Sequence, residues 1–189
     1  EEKRLGDICE GFDYGLNVAA SEYDGRVKYI RITDIDDDSR LYSKAGVVSP
    51  GCDIALADAC RVNVNDILFA RTGASVGKTY LYRESDGVVC FAGFLIRAHV
   101  KNGCDAEFVF QNTLTKEYGR YVEIVSQRSG QPGMNAVECS LFEFLVPSLP
   151  EQRKIGAYFR SIDALISARQ EEIGKLKDLK KALLDRMFV

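Results

Sequence analysis

From Pro150 to Met187 the chain carries no further proline and only two glycines, Gly156 and Gly174. Apolar residues recur there as Ile155, Phe159, Ile162, Ile166, Ile173, Leu176, Leu183 and Met187, in alternating steps of four and three. Arg169 and Lys180 stand on the two missing rungs, so the repeat is a heptad. Tyr158, Leu165 and Leu179 widen the stripe. Ser148 with Glu151 three residues on fits a capping box, and Pro150 suits a first helical turn. At 1.5 Å per residue the helix is about 55 Å long. Such a helix offers more apolar face than one small domain covers. The pattern therefore predicts a spacer that pairs with another long helix, the charged rungs setting its register. The alternative, a helix folded back on its own domain, fits less well with five regular heptads. Glu171 and Lys175 make a well-oriented i,i+4 pair for the outer face.

The remainder is long enough for one domain, and 46% hydrophobic content supplies a core. Leu5–Ile8 reads as a short entry strand or turn, and 10–25 as a polar loop holding Tyr14 and Asn17. Val27–Thr33, Asp66–Arg71 and Gly77–Tyr82 read as strands. Val88–Val100 reads as one or two more, broken near Gly93. Asp105–Gln127 turns helical, with Gly119 as a possible interruption, and Phe144–Pro147 closes the head as a strand. The order places the chain in the α+β class. It predicts a globular domain with a mixed or antiparallel sheet over 1–149 and a long coiled-coil-like helix over 150–189.

Composition excludes several functions. No apolar run approaches the ~20 residues of a membrane span. No signal peptide is visible, and the chain starts without methionine, which reads as a processed or trimmed end. The six cysteines form no CxxC pair and read as buried thiols in a reducing cytoplasm. The net charge of −3 argues against a free-standing nucleic-acid binder. It is also uneven: the last 39 residues hold nine Lys/Arg and six Asp/Glu, leaving the head at net −6. The acidic Asp34–Asp38 turn reads as a solvated loop. Ser39 and Ala45 stand where an EF-hand needs Gly and Glu, which speaks against calcium.

Arg71-Thr-Gly-Ala-Ser-Val-Gly-Lys-Thr79 imitates a P-loop. The first glycine, however, falls at 73 where the motif needs it at 72, and strand-like Tyr80-Leu-Tyr82 follows where a helix is required. A tight turn between two strands is the reading, with Lys78 and Thr79 as weak candidates for a DNA phosphate. His99, the sole histidine, lies in an apolar strand and reads as a satisfied structural residue. No nucleophile–base set and no dinucleotide fingerprint is present, so neither an active site nor a cofactor is expected. The loop Gln127–Asn135 is richer, since Gln and Asn can read adenine and Arg can read guanine.

Four segments together resemble the DNA-specificity (S) subunit of type I restriction–modification enzymes. They are Lys28-Tyr-Ile-Arg-Ile-Thr-Asp-Ile35, Asp66–Thr79, Gly133-Met-Asn135, and Val146-Pro-Ser-Leu-Pro-Glu-Gln-Arg-Lys-Ile155 with its helix. The resemblance implies one target recognition domain and one long helix, half of the two-domain family arrangement. It implies a non-catalytic role, with double-stranded DNA, methyltransferase (M) and restriction (R) subunits and a second S-type half as partners. Recognition loops vary most in that family, so DNA contacts are chosen by chemistry alone: Tyr14, Asn17, Lys78, Thr79, Arg128, Gln131 and Asn135. The competing expectation is a protein-binding scaffold that uses the helix and never meets DNA.

Overall fold

The computed structural model describes residues 1–43, 45–127 and 130–188. Strand β1 (Glu2–Arg4) leads into a helical turn, α1 (Leu5–Ile8), and then into β2 (Cys9–Tyr14). β3 (Ala20–Glu22), β4 (Lys28–Ile30) and β5 (Val48–Pro50) precede helix α2 (Ile54–Ala59). β6 (Asp66–Ala70), β7 (Thr79–Leu81), β8 (Val89–Phe91) and β9 (Leu95–Val100) follow. Helices α3 (Ala106–Asn112), α4 (Lys116–Val125) and α5 (Ala136–Ser140), strand β10 (Glu143–Leu145) and helix α6 (Leu149–Met187) complete the chain.

β6 is the centre of the head. Its five residues, Asp-Ile-Leu-Phe-Ala, are all buried, as expected of a strand covered on both faces. It lies between β9 and β7 in an antiparallel sheet of order β2-β9-β6-β7. Ile67 and Phe69 face one core, with Ile96, Val109, Tyr118 and Phe142. Leu68 and Ala70 face another, with Tyr80, Phe91 and Ile30. Alternation along one strand thus divides the two cores. Each fully buried large side chain contributes about 1.5–3 kcal/mol. β4 pairs with β8 in parallel and β3 with β5 antiparallel, each pair a separate two-stranded sheet.

Several sequence expectations need correction. Residues 10–25 are not all loop: β2 pairs along β9, with a bulge between Cys9 and Phe12, and β3 pairs with β5. β2 is an edge strand with polar residues on its open side, which hid its alternation. Leu5–Ile8 is helical. The strand after Val27 ends at Ile30 and gives way to a 3-10 turn, Ile32–Asp34. There Arg31 grips Asp34 through Nε at 2.8 Å and Nη2 at 2.7 Å. Asp34 is therefore buried rather than solvated. The 105–127 helix breaks at Thr113–Thr115, not at Gly119. Thr115 caps α4 by accepting from Tyr118 N, a local competition that an apolar-period argument does not see.

β1 and β10 pair antiparallel, so the two ends of the head meet. Val146 N donates to Glu1 O at 2.8 Å. Three residues later α6 begins, preceded by Ser148, whose N and Oγ both donate to Glu151 Oε2. Its 39 residues measure about 58 Å. The first turns dock on α3. Gln152 is buried, accepts from Asp105 N and donates to Pro147 O. Gly156 is the crossing point, since a Cβ there would lie 2.5 Å from Asp105 Oδ1. Gln111 Nε2 reaches Asp163 Oδ2 at 2.8 Å.

The apolar stripe lies on a different face. By helical geometry it is turned about 100° from the Gln152–Gly156–Asp163 line. Tyr158, Leu165, Ile173, Leu176 and Met187 are all more than half exposed. The head therefore covers only the first turns of α6 and leaves the later part of the stripe exposed. Glu171–Lys175 forms at 2.6 Å as the sequence predicts. Among the described residues no helix is long and apolar enough to cross a membrane.

Candidate nucleic-acid interface

β6 leaves the core at Arg71 and returns as β7 through a turn that two glycines shape. Gly73 and Gly77 have φ of +72° and +81°, which β-carbon-bearing residues rarely adopt. A Cβ on Gly77 would also sit 2.6 Å from Val122 Cγ1. The P-loop imitation is thus a hairpin: Gly77 N bonds Ala70 O and Ala70 N bonds Lys78 O. Lys78 points inward, donating to Ile35 O at 2.9 Å and Asp37 Oδ1 at 2.8 Å. That contact holds the Asp37 carboxyl below its ordinary range. Thr79 Oγ1 is buried against Thr113 Oγ1 at 2.7 Å. These bonds take both side chains off the surface, correcting the expectation that they reach a DNA phosphate.

The glycine-containing loop lies along this turn. Gly73 N donates to Pro132 O, and Met134 N to Arg71 O, with Thr72 bridged to Gly133. Buried Met134 pins it to the core. Gln131 is exposed beside Gly73. Asn135 caps α5: Oδ1 accepts from Glu138 N, and Glu138 Oε2 accepts from Asn135 N. Arg128, also expected to touch DNA, lies outside the described residues.

Two further segments reach the same place. The end of β2 delivers Tyr14, whose hydroxyl accepts from Ala136 N at 3.0 Å. Asn17 is exposed just beyond it. The β8–β9 turn delivers Gly93, whose N–H bonds Leu16 O, and Phe94, which is 61% exposed. Four of the seven residues singled out from sequence, Tyr14, Asn17, Gln131 and Asn135, thus come from two distant segments to one surface, which the β8–β9 turn joins. A hollow of about 680 Å³ opens there, lined by Asn17, Arg31, Thr72, Phe94 and Gln131 among others.

Sequence reasoning passed over Arg71 and Phe94. The Arg71 guanidinium lies 4.6 Å from the Tyr14 ring centroid and reaches Gly93 O at 3.5 Å. No ion pair joins it to a carboxylate among the described residues, unlike Arg31, Arg83 and Arg97. The available signal was position: Arg71 follows a strand of five buried residues, and Phe94 follows a glycine at a strand break. The surface therefore presents amides, a threonine hydroxyl, an aromatic ring and an arginine held by stacking, which are groups that contact base edges and phosphates.

Other polar clusters lie elsewhere and serve structure. His99 Nδ1 meets Asp66 Oδ1 at 2.6 Å across β9 and β6, with Arg97 nearby. Burial raises the Asp66 carboxyl, opposed by bonds from Asn63 N and His99. Burial pushes the Cys9 and Cys90 thiols up to about 12, far from nucleophilic range. Among the described residues no three His, Cys, Asp or Glu side chains converge as metal ligands.

Comparison with known proteins points the same way. The family profile of the type I restriction modification DNA specificity domain matches residues 1–177, taking in both head and most of α6. Comparison with curated proteins finds no match. Among solved structures, the HsdS subunit from Thermoanaerobacter tengcongensis is 17% identical with a TM-score of 0.60, over 98% of this chain and 44% of that one. The type I restriction–modification S subunit from M. genitalium is 18% identical with a TM-score of 0.65, over 97% and 44%. A chain from a study of complex assembly and conformational transition of the type I R-M system is 18% identical with a TM-score of 0.65, over 98% and 45%. The fold is shared, and this chain spans less than half the length of each of these chains.

Proposed function

The chain belongs to the type I restriction modification DNA specificity domain family, and on that premise we propose that its head (1–149) recognises one half of a bipartite DNA target while its helix (150–189) pairs with a second long helix. The observation that carries this reading is the family match across head and helix together. The convergence of Tyr14, Asn17, Arg71, Gln131 and Asn135 on one surface supports a recognition role for that face. The exposed stripe from Ile155 through Met187 supports pairing, with a second copy or another S-type half.

The role is non-catalytic. Methyltransferase and restriction subunits supply the chemistry, in the cytoplasm where the DNA is. They also resolve the charge problem. A head at net −6 holds DNA poorly by itself, and a methyltransferase subunit closing on the far side of the duplex supplies the missing attraction. The same acidity favours a second reading, a scaffold that binds only protein through α6.

Sequencing the methylated motif in cells that carry this chain with its methyltransferase subunit tests the proposal. A reproducible bipartite motif that disappears with the chain is expected. Methylation indifferent to the chain leaves the scaffold reading.

A further inference from the structure

Two amide side chains on the recognition face share an unusual support. Asn17 lies on Gly93: a Cβ at that glycine would stand 2.0 Å from Asn17 Oδ1. Gln131 lies on Gly73, where a Cβ would stand 3.0 Å from its Nε2. Each glycine belongs to a different turn of the sheet, β8–β9 and β6–β7, and both amides line the same hollow. Packed against bare backbone, the amides give up less rotamer freedom on binding than free surface side chains do.

A carboxamide offers a donor and an acceptor side by side, the complement of adenine N7 and N6–H₂ in the major groove. Phe94, exposed at the rim of the hollow, is suited to the thymine methyl that the paired base presents there. We infer that Asn17 and Gln131 read adenine in two A·T pairs of the half-site, each pre-set by the glycine beneath it, with Phe94 against thymine. Asn17 and Gln131 are the specificity residues, and Gly93 and Gly73 are positioning residues. This inference rests on the DNA-recognition reading above.

The test is selection from a random duplex library by the purified full chain, alone and with its methyltransferase subunit. Wild type should enrich a motif containing A·T pairs. Asn17→Ala and Gln131→Ala should each lower the preference for one A·T pair by about 5- to 150-fold, at different positions. Gly93→Ala, at a glycine without positive φ, should reproduce the Asn17→Ala change and leave the Gln131 position intact. A general loss of structure would instead weaken every position together. Where Gly93→Ala fails to fold, Asn17→Asp serves, since it keeps the shape and removes the donor. A wild-type motif that both alanine variants retain unchanged, or that they alter at G·C pairs, overturns the inference and leaves DNA recognition standing. No motif with wild type in either arm overturns DNA recognition, and the inference with it.

Discussion

At the scale of single residues, glycine and burial decide most outcomes. Gly77→Ala forces a side chain into φ +81° and against Val122. It should cost about 1–3 kcal/mol and lower the melting temperature by roughly 2–4 °C per kcal/mol. Gly130→Ala, with open space around it, should melt as wild type does. The thiols separate similarly. Only thiolates react with iodoacetamide, and burial holds Cys9, Cys90 and Cys139 in the thiol form. Partly exposed Cys52, Cys60 and Cys104 should be alkylated first, as peptide mass spectrometry of the native protein would read. Asn17 and Gln131, chosen from sequence for their chemistry, are exposed side chains that lie against glycines. Lys78, chosen in the same way, is buried, and nothing local in the sequence shows that Asp37 and the Ile35 carbonyl, some forty residues earlier, capture its ammonium group.

At the scale of elements, α6 was the most legible part of the chain, since its period repeats over ten turns and needs no partner to be read. The edge strand β2 was the least legible, because half its residues face water and its register is set by β9, more than 80 residues away. What periodicity could not reveal is that α6 docks on the head by a face other than its apolar stripe. Gly156→Leu wedges the crossing with α3, where Asp105 Oδ1 also caps Phe108 N. Amide hydrogen exchange in α3 should rise while β6 stays protected. On the other face, Ile173→Glu combined with Leu176→Glu should halve the mass seen in sedimentation and leave head melting unchanged. Both residues lie beyond the part of α6 that touches the head, whereas Ile166 lines a groove beside it. Equal masses for variant and wild type would remove the stripe as a self-association surface.

At the scale of the whole molecule, the proposed pairing makes the rod a ruler, because docking on α3 fixes its first turns to the head. Two identical chains paired antiparallel have two-fold symmetry, so their heads meet identical half-sites in opposite orientation. Deleting the heptad 173–179 keeps the stripe in phase and shortens each helix by about 10 Å, roughly three base pairs of duplex. The methylated motif of that variant should keep its half-site bases and lose up to about three base pairs from the gap. An active variant with the original gap would show that the helix does not set the spacing. A wild-type motif with unlike halves would show pairing with a different head.

The β1–β10 pairing has its own consequence. Because Glu1 and Val146 exchange backbone bonds, the head enters and leaves its surroundings through one doorway. On the proposed reading, the base-reading surface lies between two points that are neighbours in space though far apart on the chain, and the rod that follows them is held to the head at α3. A head bounded in this way can be exchanged by two crossovers, provided that the incoming head keeps the α3 surface on which Gln152, Gly156 and Asp163 dock. On that reading, such an exchange gives a new DNA word in one recombination event and leaves the exposed stripe of α6 as it was.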